Sequence, residues 1–370
     1  MQETNSGKKN MGRWRKAAIW LVCIVIVTAL TAFVFQDQIL SAAATGIIQQ
    51  RFASQSQKLD DGLYAGLAGS GAPFPDSNRV GPCIVVKAGE HLYVVDAGEG
   101  SARNIALMGF QMGKIDAILL THFHSDHIAD LGEIMLQRWA GGSNSKPVDV
   151  IGPAGVETVV EGFNRAYSLD ARYRIAHHGA ATVPPSGAGG IARPFSLSGE
   201  EDASAVIVED GGLKITAFKV DHAPVDPAVG YRFDYKGRSL VISGDTSPSS
   251  SLKKQSQGVD VLFHEALQPD MIRMIRAQAG SSPSPSIAKI MTDIPGYHTS
   301  PEDAAKIAGE AGARHLVLYH ILPPLPQLLT NMFIGDAAKY YSGPITVAQD
   351  GLLISLPAAS DKISVGQLLK

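Results

Sequence analysis

The sequence predicts an α/β layered domain behind a separate apolar N-terminal segment. Short strand-like runs alternate with helix-like ones, several of the strand-like runs are spaced as hairpin neighbours, and 45% of the 370 residues are apolar, enough for a sizeable core. No internal repeat interrupts the alternation. The formal charge of -3 gives no electrostatic footprint for a polyanion, and the two cysteines imply neither a disulfide framework nor a cysteine metal site.

At the N-terminus, "AAIWLVCIVIVTALTAFVF" (residues 17–35) carries no charge and is long enough to cross a bilayer as a helix. Lys8, Lys9, Arg13, Arg15 and Lys16 precede it and favour a cytoplasmic N-terminus. The expected organisation is therefore a basic N-terminus over 1–16, a transmembrane helix over 17–35, a connector over 36–61 and a catalytic domain over 62–370. That domain would then lie on the extracytoplasmic, periplasmic side of the inner membrane. The competing reading is a signal peptide cleaved near "SAAAT", which starts at Ser41. Because the apolar run exceeds a usual signal core, the uncleaved anchor is favoured.

Within the domain, strands are expected at 83–87, 92–95, 117–120, 148–151, 214–220, 239–243, 259–263, 315–319 and 352–355. Helices are expected at 102–108, 128–139, 155–166 and 301–311. The last has the clearest boundaries: Ser300 can cap it, Pro301 suits the first turn, Glu302 and Asp303 favour the helix dipole, and Gly312 ends it. Two segments rich in Pro, Gly and Ser, 183–205 and 278–297, read as long loops.

The chemistry concentrates in "THFHSDH". His122 and His124 follow a strand at a spacing that lets both imidazoles face one ion, while Asp126 and His127 lie on the far side of the turn. Such a turn supplies donors to two adjacent sites and completes neither. Further donors end other strand-like runs: His222 after "TAFKVD", Asp245 after "SLVISG", and His320 after "HLVLY". Singly, His222 and His320 are read equally well as packing histidines, and Asp245 as a turn residue. Together with the first motif they point to one rim holding two divalent ions, zinc first, with manganese or iron also compatible with imidazole and carboxylate donors.

"THFHSDH" resembles the zinc signature of the metallo-β-lactamase superfamily. "GLAGSGAPFPDSNRVGPCIVV", "LYVVDAGEG", "IGPAG", "VISGDT", "LFHEA" and "YHTSPEDAA" are similar to segments of its ribonuclease Z and arylsulfatase-like branch, across residues 64–357. The resemblance implies a four-layer αββα sandwich with a dinuclear site on one edge. It implies that His122, His124 and His222 hold one metal, Asp126, His127 and His320 the other, and that Asp245 bridges them. It makes His298 a candidate for proton transfer to the leaving group, although a helix-entry histidine explains the residue equally. It makes Asp96 the carboxylate that orients a ligand histidine, against a plain turn aspartate. His264 and Glu265 read as supporting structure.

A complete donor set of this kind implies hydrolysis and argues against a metal-binding protein without catalysis. For the substrate, the sequence favours a small anionic ester, phosphate or sulfate, over nucleic acid. Only residues 223–244 separate His222 from Asp245, where ribonuclease Z relatives carry a long tRNA-clamping insert. "HILPPLP" replaces their segment after the last ligand, and an exported domain would not meet tRNA precursors. The alternative is a ribonuclease Z-type endoribonuclease that processes tRNA 3′ ends. A homodimer is the expected assembly by resemblance, and the N-terminal helix is the expected contact with membrane.

Overall fold

The computed structural model describes residues 6–53, 59–279 and 285–369. The chain divides into two units, Met1–Ser56 and Gln57–Lys370. The first consists of α1 (Ser6–Val34) and α2 (Gln36–Ala53), so the connector expected over 36–61 is helical for much of its length. Within α1, Arg13–Val34 forms a 22-residue stretch of mean hydropathy 2.7, long and apolar enough to cross a membrane by length and composition.

The second unit is built on two sheets. The first comprises β1 (Gly62–Gly69), β2 (Cys83–Ala88), β3 (His91–Val95), β4 (Ala117–Leu119), β5 (Val148–Pro153) and β6 (Gly190–Phe195), together with two strands from the C-terminal end of the chain. The second comprises β7 (Ser204–Asp210), β8 (Leu213–Lys219), β9 (Val229–Tyr235), β10 (Arg238–Ile242), β11 (Val261–Leu267), β12 (His315–Leu322) and β13 (Ile345–Val347). β14 (Leu352–Pro357) and β15 (Ser364–Gln367) complete the first sheet, whose order is β15-β14-β1-β2-β3-β4-β5-β6. The second runs β13-β12-β11-β10-β9-β8-β7.

Strand alternation explains the layers. Leu63, Ala65 and Leu67 of β1, Tyr93 and Val95 of β3, and Tyr231 and Phe233 of β9 all enter the core between the sheets. The intervening Tyr64, Ala68 and Val94 face outward and meet Ile105 of α3 (Ser101–Leu107) and Leu131 and Ile134 of α5 (Leu131–Gly142), which follows the single turn α4 (Ser125–Ile128). Val156 and Val160 of α6 (Val156–His178) join the same cluster. On the opposite face, Val241, Leu262 and Leu316 pack against Leu252 of α7 (Ser250–Gln255) and, beyond α8 (Pro269–Ala279) and α9 (Pro285–Asp293), against Ala304 and Ala308 of α10 (Pro301–Ala311). The result is the αββα sandwich.

Several expectations need correction. The segments 183–205 and 278–297 are not plain loops: the first contains β6 and the second α9. β6 adds itself in parallel to β5, so the pairing edge of a neighbour organises "GIARPF", whose Gly and Pro carry little strand signal of their own. The helix expected at 128–139 is divided at Ala129–Asp130 into α4 and α5, and α6 continues well past 166 to His178. By contrast α10 has the expected bounds, with Ser300 Oγ accepting from Asp303 N at 3.0 Å and Gly312 in the left-handed region at φ 65°.

The parallel strands matter most for the site. β3 and β4 run parallel in the first sheet, as do β10, β11 and β12 in the second, so their C-terminal ends gather on one rim. Two hydrogen bonds join the sheets there: the Tyr231 side chain donates from Oη to Leu120 O at 2.6 Å, and backbone Val229 N donates to Thr121 O at 3.0 Å.

Phe233 lies in the middle of the inter-sheet core with no solvent exposure. Replacing Phe233 with Ala should lower unfolding stability by about 3–5 kcal/mol, read from the urea midpoint followed by circular dichroism; a shift below about 1 kcal/mol would show that the sandwich core is not where stability resides.

Candidate metal centre

His122, His222 and Asp245 follow the ends of β4, β8 and β10, Asp126 and His127 lie in α4, and His320 lies inside β12; tertiary contacts aim several of them. β4 ends at Leu119, and Thr121 then anchors both neighbours: its N and Oγ1 donate to Asp96 at 2.8 and 2.9 Å, while His122 Nδ1 faces its Oγ1 at 3.1 Å. Asp96, after β3, adopts φ 59°, an uncommon conformation for a side-chain-bearing residue. That twist turns Asp96 Oδ2 onto His127 Nδ1 at 2.9 Å and leaves Nε2 as the ring nitrogen facing the cluster. His222, beyond β8, is set in the same way by Nδ1 donating to Tyr297 O at 2.9 Å.

Asp245 follows the turn after β10. Gly244 makes that turn possible: its φ is 64°, and a Cβ there would come within 2.7 Å of Val229 O. Tyr319 Oη accepts from Gly244 N at 3.1 Å and fixes the turn against β12. His320 comes from a register shift between β11 and β12, with φ 49°, which aims the imidazole at the rim.

All the residues singled out from the sequence meet at this rim. His122, His124, His222 and Asp245 place donor atoms within 4.8 Å of one another, as do Asp126, His127 and His320. His122 Nε2 and His124 Nδ1 are 2.9 Å apart, and His222 Nε2 is 3.4 Å from His124 Nδ1. Asp245 Oδ2 lies between the two groups, 3.9 Å from the Nε2 atoms of His122 and His222 and 3.3 Å from those of His127 and His320. Asp126 Oδ2 is 3.3 Å from His320 Nε2 and 3.6 Å from His127 Nε2.

His298 is drawn in further than helix entry requires, forming a third cluster with Asp245 and His320 and stacking on the His320 ring at 5.5 Å. Its Nδ1 lies 3.2 Å from Glu265 Oε1 but off hydrogen-bonding geometry. Glu265 is more involved than supporting structure suggests: it is fully buried, and Oε1 accepts from Thr299 N at 2.9 Å and Thr246 N at 3.3 Å, joining the His298 and Asp245 loops. Thr121 opens "THFHSDH" and Glu265 lies in "LFHEA", but nothing in either segment says which neighbours these side chains bind; only the tertiary contacts show it.

Electrostatics follow from burial. It lowers the affinity of His122 and His124 for a proton, and brings His222 down to about 4. Burial alone would push the Asp126 carboxyl up, but the neighbouring His127 and His320 outweigh it and bring it to about 2. Asp245, likewise disfavoured by burial, is held well below the ordinary carboxylate range by His320 and His127. At His127 burial also disfavours the charged form, but Asp245, Asp126 and Asp96 outweigh it and raise its proton affinity well above the ordinary histidine value, so a divalent cation there would take the place of that proton among the carboxylates. The buried Nε2 of His127 and Oδ1 of Asp245, without hydrogen-bond partners, fit the same reading.

A two-sheet sandwich with histidines and aspartates gathered on its parallel-strand rim defines a hydrolase of the metallo type. A family model described as a β-lactamase superfamily domain matches residues 91–321, and the chain belongs to the metallo-β-lactamase superfamily. Among curated relatives, ribonuclease Z of Mycolicibacterium gilvum is 37% identical over 286 residues, covering 77% of this chain and 93% of the relative. Ribonuclease Z of Mycobacterium avium is 33% identical over 296 residues, covering 80% and 98% respectively. Two solved structures share the fold. The metallo-β-lactamase fold protein YhfI from Bacillus subtilis has TM-score 0.56 and 22% identity, covering 80% of this chain and 100% of that one. Human tRNase Z, short form, has TM-score 0.55 and 23% identity, covering 80% and 99%.

Asp96→Asn keeps a residue that tolerates the left-handed backbone but turns an amide N–H toward His127 Nδ1. Metal affinity, titrated by calorimetry with zinc, should fall about 10–100-fold; unchanged affinity would show that His127 needs no orienting carboxylate.

Proposed function

We propose that this chain is a dinuclear metal-dependent phosphodiesterase of the ribonuclease Z type. One observation carries the reading: a single buried carboxylate oxygen, Asp245 Oδ2, stands within 3.9 Å of imidazole nitrogens from both donor groups. His122, His124 and His222 would hold one cation and Asp126, His127 and His320 the other, with Asp245 available to both, and zinc suits these donors. The curated relatives, named ribonuclease Z and matched over nearly their whole length, favour a phosphodiester over a sulfate ester.

When bound, two such ions supply a nucleophile at neutral pH and charge stabilisation for the attacked phosphorus. The chain's own residues do the rest. Asp126, ionised at neutral pH, accepts a hydrogen bond from the attacking water and orients it. His298, held between Glu265 and the His320 ring, carries a proton for the departing oxygen.

The ribonuclease Z names support an RNA phosphodiester, specifically the 3′ trailer of a tRNA precursor. A second reading, a small phosphodiester, has its own support: β9 and β10 are joined by only Lys236 and Gly237, both at positive φ, a two-residue hairpin turn that leaves no arm for gripping a tRNA. The anchor reading of the N-terminus belongs here too. Arg13–Val34 is long and apolar enough to span a bilayer, and the basic residues at and before its start support a cytoplasmic N-terminus; on that reading the catalytic unit lies outside the cytoplasm, out of reach of tRNA precursors.

Assaying the zinc-loaded chain on a trailer-bearing tRNA precursor, bis(p-nitrophenyl) phosphate and p-nitrophenyl sulfate separates the readings. The phosphodiesterase reading requires cleavage of a phosphodiester that is lost in Asp126→Ala; hydrolysis of the sulfate alone overturns it. Trailer cleavage well above the small-ester rate selects the RNA substrate, and the reverse selects the small one. His298→Ala should lower kcat about 10²–10⁴-fold with KM little changed, and a change confined to KM would remove His298 from proton transfer.

A further inference from the structure

We propose that α8 and α9 together form an interfacial foot that docks the catalytic unit on an anionic lipid bilayer. The two helices pack against each other, and each carries one apolar stripe that the protein covers only at its base. In α8 the stripe begins with buried Met271 and Ile272, then continues to Met274 and Ile275, which are 53% and 40% exposed. In α9 it runs the other way: Ile287 and Ile290 are 45% and 46% exposed, and one turn on, Met291 and then Ile294 are buried. Met291, Ile294 and Ile272 form a small cluster of their own with Leu267, Leu322 and Ala72, so the base is fixed to the domain. Toward the junction of the two helices the apolar faces meet solvent. Soluble surfaces scatter single apolar residues, but here they continue two helical stripes beyond the edge of the core.

Charge decides what covers them. From Met271 to Thr292 the sequence contains Arg273, Arg276 and Lys289 and no acidic residue. Arg273 pairs back to Asp270 and Lys289 to Asp293, both toward the base, and Arg276 is exposed. An apolar stripe bordered by cations is the pattern of a helix lying in the headgroup region of an anionic bilayer. That a bilayer is at hand rests on the anchor reading of Arg13–Val34 given under the proposed function.

The foot is also connected to the chemistry. α8 follows β11, which contains Glu265, and α9 leads into Tyr297, whose carbonyl holds His222, and into His298. Lipid contact therefore fixes the segment that carries both a metal-donor partner and the candidate proton donor.

The test uses the full chain with Cys23→Ser and Ile290→Cys, labelled there with an environment-sensitive fluorophore and added to vesicles of phosphatidylcholine with or without phosphatidylglycerol. The buried Cys83 is not expected to label. A blue shift and quenching by acyl-chain quenchers in the anionic vesicles, lost in the Arg276→Glu/Lys289→Glu variant, is the expected result. A label at Leu107→Cys, which is 58% exposed on α3, should show neither. A label that stays aqueous on anionic vesicles overturns the proposal. So does a blue shift in detergent without lipid that grows with protein concentration, which would mean that a second copy covers the face. Alkaline extraction tests the anchor separately: a chain released by it lacks an inserted span, while the label still reports whether the foot docks.

Discussion

Everything at the catalytic rim depends on keeping one carboxylate, Asp245, ionised where it has almost no contact with water. Burying an unpaired carboxylate costs several kcal/mol, so the residue persists only because imidazoles from both sheets surround it. That requirement makes the rim a joint between sheets and not a feature of either. Tyr231 reaches from the second sheet to the last carbonyl before Thr121, and Tyr319 holds the turn of Gly244 from the neighbouring strand. Asp96 and His320 adopt the uncommon positive-φ backbone at this same rim, φ 59° and 49°.

The same architecture separates reaction from substrate. The donor cluster is made by strand ends, which the sandwich fixes rigidly, whereas the elements that would meet a substrate are appended to them. The β9–β10 hairpin is as short as a hairpin can be, and α8 and α9 extend an incompletely covered apolar face from the segment just before His298. Both features favour a substrate presented near a surface over one clamped by a long arm. The ribonuclease Z names of the curated relatives pull toward RNA, and names and features alike are compatible with the phosphodiester substrate proposed above.

Legibility in the sequence varied with how local the cause was. β2, β3, β4 and β5 are runs of Val, Ile and Leu and could be read directly, and α10 was bounded by its own cap, Pro and Gly. β1, "GLYAGLAG", hides its alternation in glycine and alanine, and it is a strand because β2 and β14 pair with it on both sides. β9 lies outside the expected strands although Tyr231, Phe233 and Tyr235 alternate inward with Arg232 and Asp234, a period that was there to be found. β6 and α9 sit in segments whose Pro, Gly and Ser content reads as loop, and only neighbours give them form.

The sequence by itself determined the donor inventory, because ligand types and their places after strand-like runs are chemical facts of the chain: "THFHSDH", His222, Asp245 and His320 are visible without coordinates. It also determined that an apolar span precedes the domain. The tertiary structure alone decided that these donors meet within a few ångströms, because distance between strand ends depends on sheet order and parallel pairing, which no single strand encodes. It alone decided that Asp96 and the Tyr297 carbonyl aim His127 and His222 and that Glu265 ties the loops of Asp245 and His298, since those contacts join residues far apart in the chain. The apolar stripes of α8 and α9 belong to the sequence, but that their outer turns stay uncovered was decided by where the core ends.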